Sequence, residues 1–139
     1  MSINAYRFFS NNCREAMTRY QEIFGGELNV MGYGDVPPGE EVPEGIDTNL
    51  VMHAALVFPD GDLLLASDDP SGTGGSVTGV SISYNAPTVD DCKRIFTALS
   101  DGGDVGMPLE STFWSPMFGM CTDRFGTPWM VSVAQPPDS

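Results

Sequence analysis

His53 is the one histidine in a chain of 139 residues, and its ring is the side chain best suited to titrate near neutrality. A single histidine cannot build a zinc site, which takes three or four ligands. Two roles stay open for it: a satisfied structural group, or a pocket acid, base or hydrogen-bond donor. Arg7 is the second candidate, because an arginine turned into a hollow is costly unless it meets an anion. That anion is either a ligand carboxylate or phosphate held by both arms of the guanidinium, or an internal acid such as Asp68. Ser67, Ser81 and Ser83 offer hydroxyls. With no second histidine for a triad and no G-x-S-x-G turn, none of them reads as an activated nucleophile. The three cysteines form no C-x-x-C pair. Cys13 and Cys92 fall on apolar helix faces and Cys121 falls in a strand, so buried reduced thiols are expected, with a reactive thiol as the alternative.

The stretch 111–130, STFWSPMFGMCTDRFGTPWM, holds both tryptophans and three of the eight phenylalanines. Rings at this density either plug a core or wall a pocket. Trp114 and Phe118 are read as pocket wall, since ligand sites are apolar with few polar groups; core packing or a dimer contact is the other reading. Trp129 lies on the opposite strand face from Met130 and is expected against a helix.

These residues need a frame. Ala5–Phe9 reads as a strand. Cys13, Ala16, Met17, Tyr20, Ile23 and Phe24 then line one face of a helix, with Asn12 as N-cap, Glu15 in capping-box position and Gly25-Gly26 as its stop. Strands follow at 28–33, 50–58 and 63–67. In the strand holding His53, period two sets His53, Ala55 and Val57 on one face and Met52, Ala54 and Leu56 on the other. The segment 34–49, rich in proline, glycine and acid, is a long loop, which in a small domain is usually functional or mobile. The same order then repeats: a strand at 77–84, a helix capped by Thr88 with Asp91 in capping-box position, a stop at Gly102-Gly103, and strands at 105–110, 117–122 and 129–133. Adding 76 maps Asn12 onto Thr88, Tyr20 onto Phe96 and Gly26 onto Gly102. The chain is therefore expected to be two strand-helix-strand-strand-strand modules, about 1–67 and 77–135, joined by a connector at 68–76.

Charge limits the partners. Nineteen acids against six basic residues give a net charge of −13. A polyanion is repelled at that balance, so neither nucleic acid nor an anionic membrane is expected. No apolar run approaches the roughly 20 residues of a membrane span, and Met1–Phe9 shows no export signal, so a cytoplasmic location is expected. Gly72-Thr73-Gly74-Gly75 leads into a strand, whereas phosphate binding needs a helix N-terminus after the glycines. It reads as linker, and no nucleotide-type cofactor is expected.

Taken together, Asn12-Cys13-Arg14-Glu15-Ala16, Phe24-Gly25-Gly26, Tyr33-Gly34-Asp35, Met52-His53-Ala54, Ala66-Ser67-Asp68 and Thr122-Asp123-Arg124-Phe125-Gly126-Thr127-Pro128-Trp129 resemble the PhnB-like branch of the vicinal-oxygen-chelate superfamily of glyoxalases, bleomycin-resistance proteins and extradiol dioxygenases. The resemblance implies an α+β fold of two βαβββ modules whose curled mixed sheets enclose a cup, usually in a homodimer. It implies that metal-dependent relatives place His, Gln or Glu once in each of the first, fourth, fifth and eighth strands. Those positions fall here on Ala5, on Leu65 or Asp68, on Gly79 and on Met130, and only Asp68 could ligate a hard divalent ion. A metal-free cup binding a small organic molecule is the first expectation, with Arg7, His53, Ser67, Ser81, Trp114, Phe118 and Met130 around it. An enzyme with a metal site rebuilt from Asp68, His53 and Glu40 or Glu41 is the alternative, and a ligand-free structural dimer is a third.

Overall fold

The computed structural model describes residues 3–35, 45, 47–69, 77–113 and 116–133. Among the described residues the regular elements are, in order, β1 (Ala5–Phe9), α1 (Cys13–Phe24), β2 (Glu27–Gly32), β3 (Val51–Val57), β4 (Leu63–Asp68), β5 (Ile82–Ala86), α2 (Val89–Ser100), β6 (Asp104–Glu110), β7 (Phe118–Thr122) and β8 (Pro128–Val133), with a 3-10 turn at Tyr33–Asp35 after β2. The chain divides into two compact units, Met1–Gly75 and Ser76–Ser139. Among the described residues no helix is long and apolar enough to cross a membrane.

Each unit is one βαβββ module with a four-stranded mixed sheet, ordered β1-β4-β3-β2 in the first and β5-β8-β7-β6 in the second. The first and last strands of each module pair in parallel, and the remaining pairs are antiparallel. A parallel pair needs a crossover, and the helix supplies it.

The helix of each module covers one face of its own sheet. In α1 the buried residues are Cys13, Ala16, Met17, Tyr20 and Ile23. The sheet meets them with Phe9, Ala54, Leu56, Leu64 and Ala66, all almost fully buried. In α2 the buried residues are Cys92, Ile95, Phe96 and Leu99, and the sheet residues of that face include Trp129 and Val131. Burying each large apolar side chain stabilises the fold by about 1.5–3 kcal/mol. Gly119 in β7 belongs to this face, since a Cβ there would stand 2.9 Å from the Phe96 ring.

The two helix starts differ. Thr88 accepts the Asp91 amide at 3.1 Å and donates its hydroxyl to the Asp91 carboxylate at 3.0 Å, as expected. Asn12 makes no side-chain cap bond. The carboxylate of Asp68, reaching across from β4, takes the Cys13 amide instead at 2.9 Å. A cap supplied from 55 residues away leaves no local pattern to read.

The ends of the helices repeat with one residue of slippage. Gly25 and Gly102 both turn at φ 77°. A Cβ at Gly26 would lie 2.1 Å from the Val57 carbonyl oxygen, and one at Gly103 would lie 2.1 Å from that of Thr122. Gly26 therefore corresponds to Gly103 rather than Gly102, and Asp101 is the inserted residue. The first strand of the second module also starts later than expected, at Ile82 rather than Val77. Gly79, with φ 80°, lies in the approach to it.

Candidate functional site

The face of each sheet turned away from its own helix is here called the far face. Strand register decides which residues occupy it. Phe9 pairs with Asp68 and Arg7 with Ala66, on the helix side, while Tyr6 pairs with Leu65 and Phe8 with Ser67 on the far face. In β3, Ala54 and Leu56 pair with Ala66 and Leu64 on the helix side. His53 alternates with them onto the far face, opposite Met31 of β2.

The far face of the first module is aromatic. The Tyr6 hydroxyl and His53 Nδ1 are 3.3 Å apart, within hydrogen-bond reach. The Tyr6 ring sits 5.8 Å from the His53 ring and 5.0 Å from the Phe8 ring. Tyr6, Phe8 and Met31 are 41%, 55% and 44% exposed, so rings and a thioether stand in the open here, with Glu27 and Asn29 further along β2 on the same face. Ser67 is buried on the same face beside Phe8.

Arg7 is not part of that surface. Expected with Ala5 in a hollow, both instead carry the parity of Phe9 and belong to the helix side of the sheet. Arg7 is 6% exposed. Its guanidinium lies 4.4 Å over the Phe9 ring and donates to the Phe8 carbonyl. Arg7 and Ala5 share one face, and it is the helix side, because Phe9 fixes the parity and belongs to the core. Tyr6, which sequence reasoning passed over, stands on the far face instead. Its signal was present in the alternation Tyr6-Arg7-Phe8-Phe9, once Phe9 is taken as the core residue.

In the second module, Ser83 of β5 pairs with Met130 of β8, Met130 with Met120 of β7, and Met120 with Met107 of β6. These four form one row across the far face. One row further along, Asn85 pairs with Ser132 and Ser132 with Phe118. The Ser132 hydroxyl donates to the Asn85 side-chain oxygen at 2.7 Å. Met130 and Phe118 thus share this face, with Phe118 buried, and Trp129 is on the helix side at 1% exposed. Ser81 stands just before β5, outside the row. Trp114 lies outside the described residues, and its neighbour Phe113, beyond the end of β6, is 90% exposed.

Asp68 and Asp123, the buried acids among the described residues, are both engaged. Asp68 is 4% exposed, and its second oxygen accepts the Val51 amide at 2.8 Å while the first holds Cys13. Asp123, also buried, accepts the amides of Phe125 and Thr127 and the indole of Trp129. Ala5, Leu65, Gly79 and Met130 offer no hard donor, so these positions do not fit a divalent ion held by oxygen and nitrogen. Among the described residues no three of His, Cys, Asp and Glu come together; Glu40 and Glu41 lie outside them. The three thiols are free and buried. Burial, then the Asp68 charge, pushes Cys13 up to about 12. Burial and Asp123 push Cys121 up to about 11, and burial raises Cys92. Thiols held this far from ionisation are poor nucleophiles.

Comparison with known proteins agrees with this geometry. Residues 2–131 match the family model of the Glyoxalase/Bleomycin resistance protein/Dioxygenase superfamily. Protein YjdN of Escherichia coli K12 is 31% identical over 97% of both chains. The crystal structure of PA1353 from Pseudomonas aeruginosa is 41% identical, covers 98% of this chain and 99% of its own, and superposes with a TM-score of 0.85. The PhnB protein from Bacillus cereus, 24% identical over 96% of this chain and all of its own, shares the fold at a TM-score of 0.76. With its paired βαβββ modules and a family match over nearly its whole length, the chain belongs to the glyoxalase/bleomycin resistance protein/dioxygenase superfamily.

Proposed function

We propose that this protein binds a small organic molecule on the far faces of its sheets, without a bound metal ion. The observation that carries the reading is the composition of those faces. One carries Tyr6, Phe8 and Met31 in the open, and the other carries Met107, which is 44% exposed. Contiguous exposed apolar surface on a soluble protein marks an interaction site, and apolar walls with a few polar groups are what small-molecule sites consist of. His53, tied to the Tyr6 hydroxyl, supplies the polar group in the first module, as the Asn85–Ser132 pair does in the second.

Thermal melting against a panel of aromatic compounds, with native mass spectrometry of the hits, tests this. A ligand at a hundred times its Kd adds about 2.7 kcal/mol to the folded state, which is a visible rise in Tm. A panel that leaves the Tm flat and yields no adduct overturns the proposal. Stoichiometric Mn, Fe, Ni or Zn retained through dialysis overturns its metal-free part.

A further inference from the structure

The row of thioethers on the second module's far face has no part in that module's core. Met107, Met120 and Met130 stand opposite one another on three neighbouring strands. Side chains directly opposite across a sheet have Cβ atoms about 4.5–5.5 Å apart, so the three methionine side chains form one row. A far face left to solvent would ordinarily alternate to polar residues. Thioethers are unbranched and polarisable, adapt their shape, and gain from contact with aromatic rings. The strip is therefore suited to a flat ring laid along it.

Two further features narrow the ligand. The Ser132–Asn85 pair, 2.7 Å apart, borders the strip. With the hydroxyl donated to the Asn85 oxygen, the Asn85 amide hydrogens and a Ser132 lone pair are directed to other partners. At the β6 edge, Asp104 pairs with Thr122 and Glu110 with Phe118, both in register with this face. No lysine or arginine stands among the described residues of these rows, so the local charge opposes an anion.

Resting on the small-molecule reading above, we infer that Met107, Met120 and Met130 form a recognition strip for a planar aromatic cation, with Asn85 and Ser132 as its polar anchor. The probe is proflavine, a planar aromatic cation, titrated into the full chain labelled with [methyl-13C]methionine. The eight methionine signals are assigned by single Met→Leu variants, a swap that conserves volume. The expected result is upfield ring-current shifts of Met107, Met120 and Met130 that saturate together, while Met17, fully buried on the sheet-facing side of α1, stays in place. Met120→Leu should weaken proflavine about threefold, the scale of one sulfur–aromatic contact. Naphthalene-1-sulfonate, a planar anion, should bind about tenfold more weakly than proflavine, by charge. Proflavine binding that leaves the three signals unmoved, or sulfonate binding as tightly, overturns the strip while small-molecule binding stands. If neither these probes nor any panel compound binds, both readings fall.

Discussion

Asp123 holds the Trp129 indole N–H on Oδ2 at 2.8 Å, while its Oδ1 takes the amides of Phe125 and Thr127 at 2.9 and 3.0 Å. One buried carboxylate thus shapes the β7–β8 turn and locks the largest side chain under α2. Hydrogen bonds to a buried charge are worth about 1.5–3 kcal/mol each. Trp129→Phe, which removes one donor and some volume, should lower stability by about 3 kcal/mol. Asp123→Ala, which strands three donors, should lower it further. Urea unfolding measures both; an Asp123→Ala midpoint equal to the wild type would show the turn is held by something else.

Asp68 plays the matching part in the first module, bonding the Cys13 and Val51 amides. Asp68→Ala should destabilise by about 3 kcal/mol through two stranded donors, with Asp68→Asn less severe because its carbonyl still accepts. The informative readout is hydrogen exchange at those two amides. Both should become fast in Asp68→Ala at temperatures where Tyr20 and Leu56 stay protected.

The cysteines give a pH dependence with a definite sign. Burial is the first cause for all three, lifting Cys13 from the ordinary value of 9.0 to about 12 and Cys121 to about 11. The folded state keeps these protons when the unfolded chain releases them. The stability they contribute is therefore complete below about pH 9 and is lost as pH rises towards the folded values. Stability measured between pH 8 and 11 should fall. At pH 8 a thiol reagent should label the native protein slowly and all three sites promptly once it is unfolded in urea.

Gly26 and Gly103 predict a matched pair of failures. Each lets its chain pass within 2.1 Å, in Cβ terms, of a backbone carbonyl that cannot yield. Gly26→Ala also forces φ 92° on an L-residue. Both Gly26→Ala and Gly103→Ala should cost more than the 1–3 kcal/mol typical of overpacking. Gly61→Ala, at φ 99° with open space around it, should cost only about 1 kcal/mol, for backbone strain. Thermal melts of the three variants rank them.

Much of the scaffold could be read in advance because its signals are local. The spacing from Cys13 to Phe24 marks a helix without help, and the Thr88–Asp91 box closes as its residue types require. The repeated order of elements carried the module count. What escaped was set by distant partners. Asp68 caps a helix 55 residues earlier in the chain, so Asn12 looked like the cap. The side on which Arg7 falls depends on the parallel pairing of β1 with β4, which no period within five residues can give. The methionine row joins positions 107, 120 and 130, and its alignment depends on irregular register in β6 on both sides of Met107.

The two sheets share one strand order and one set of glycine joints, yet their far faces are furnished differently, with Tyr6, Phe8, His53 and Met31 on one and three methionines and Phe118 on the other. Each helix seals one face of its own half, while much of the opposite face, Tyr6, Phe8 and Met107 among it, stays exposed. A lineage built on this frame can therefore exchange one chemical vocabulary for another, strand by strand, without first loosening the architecture that displays it.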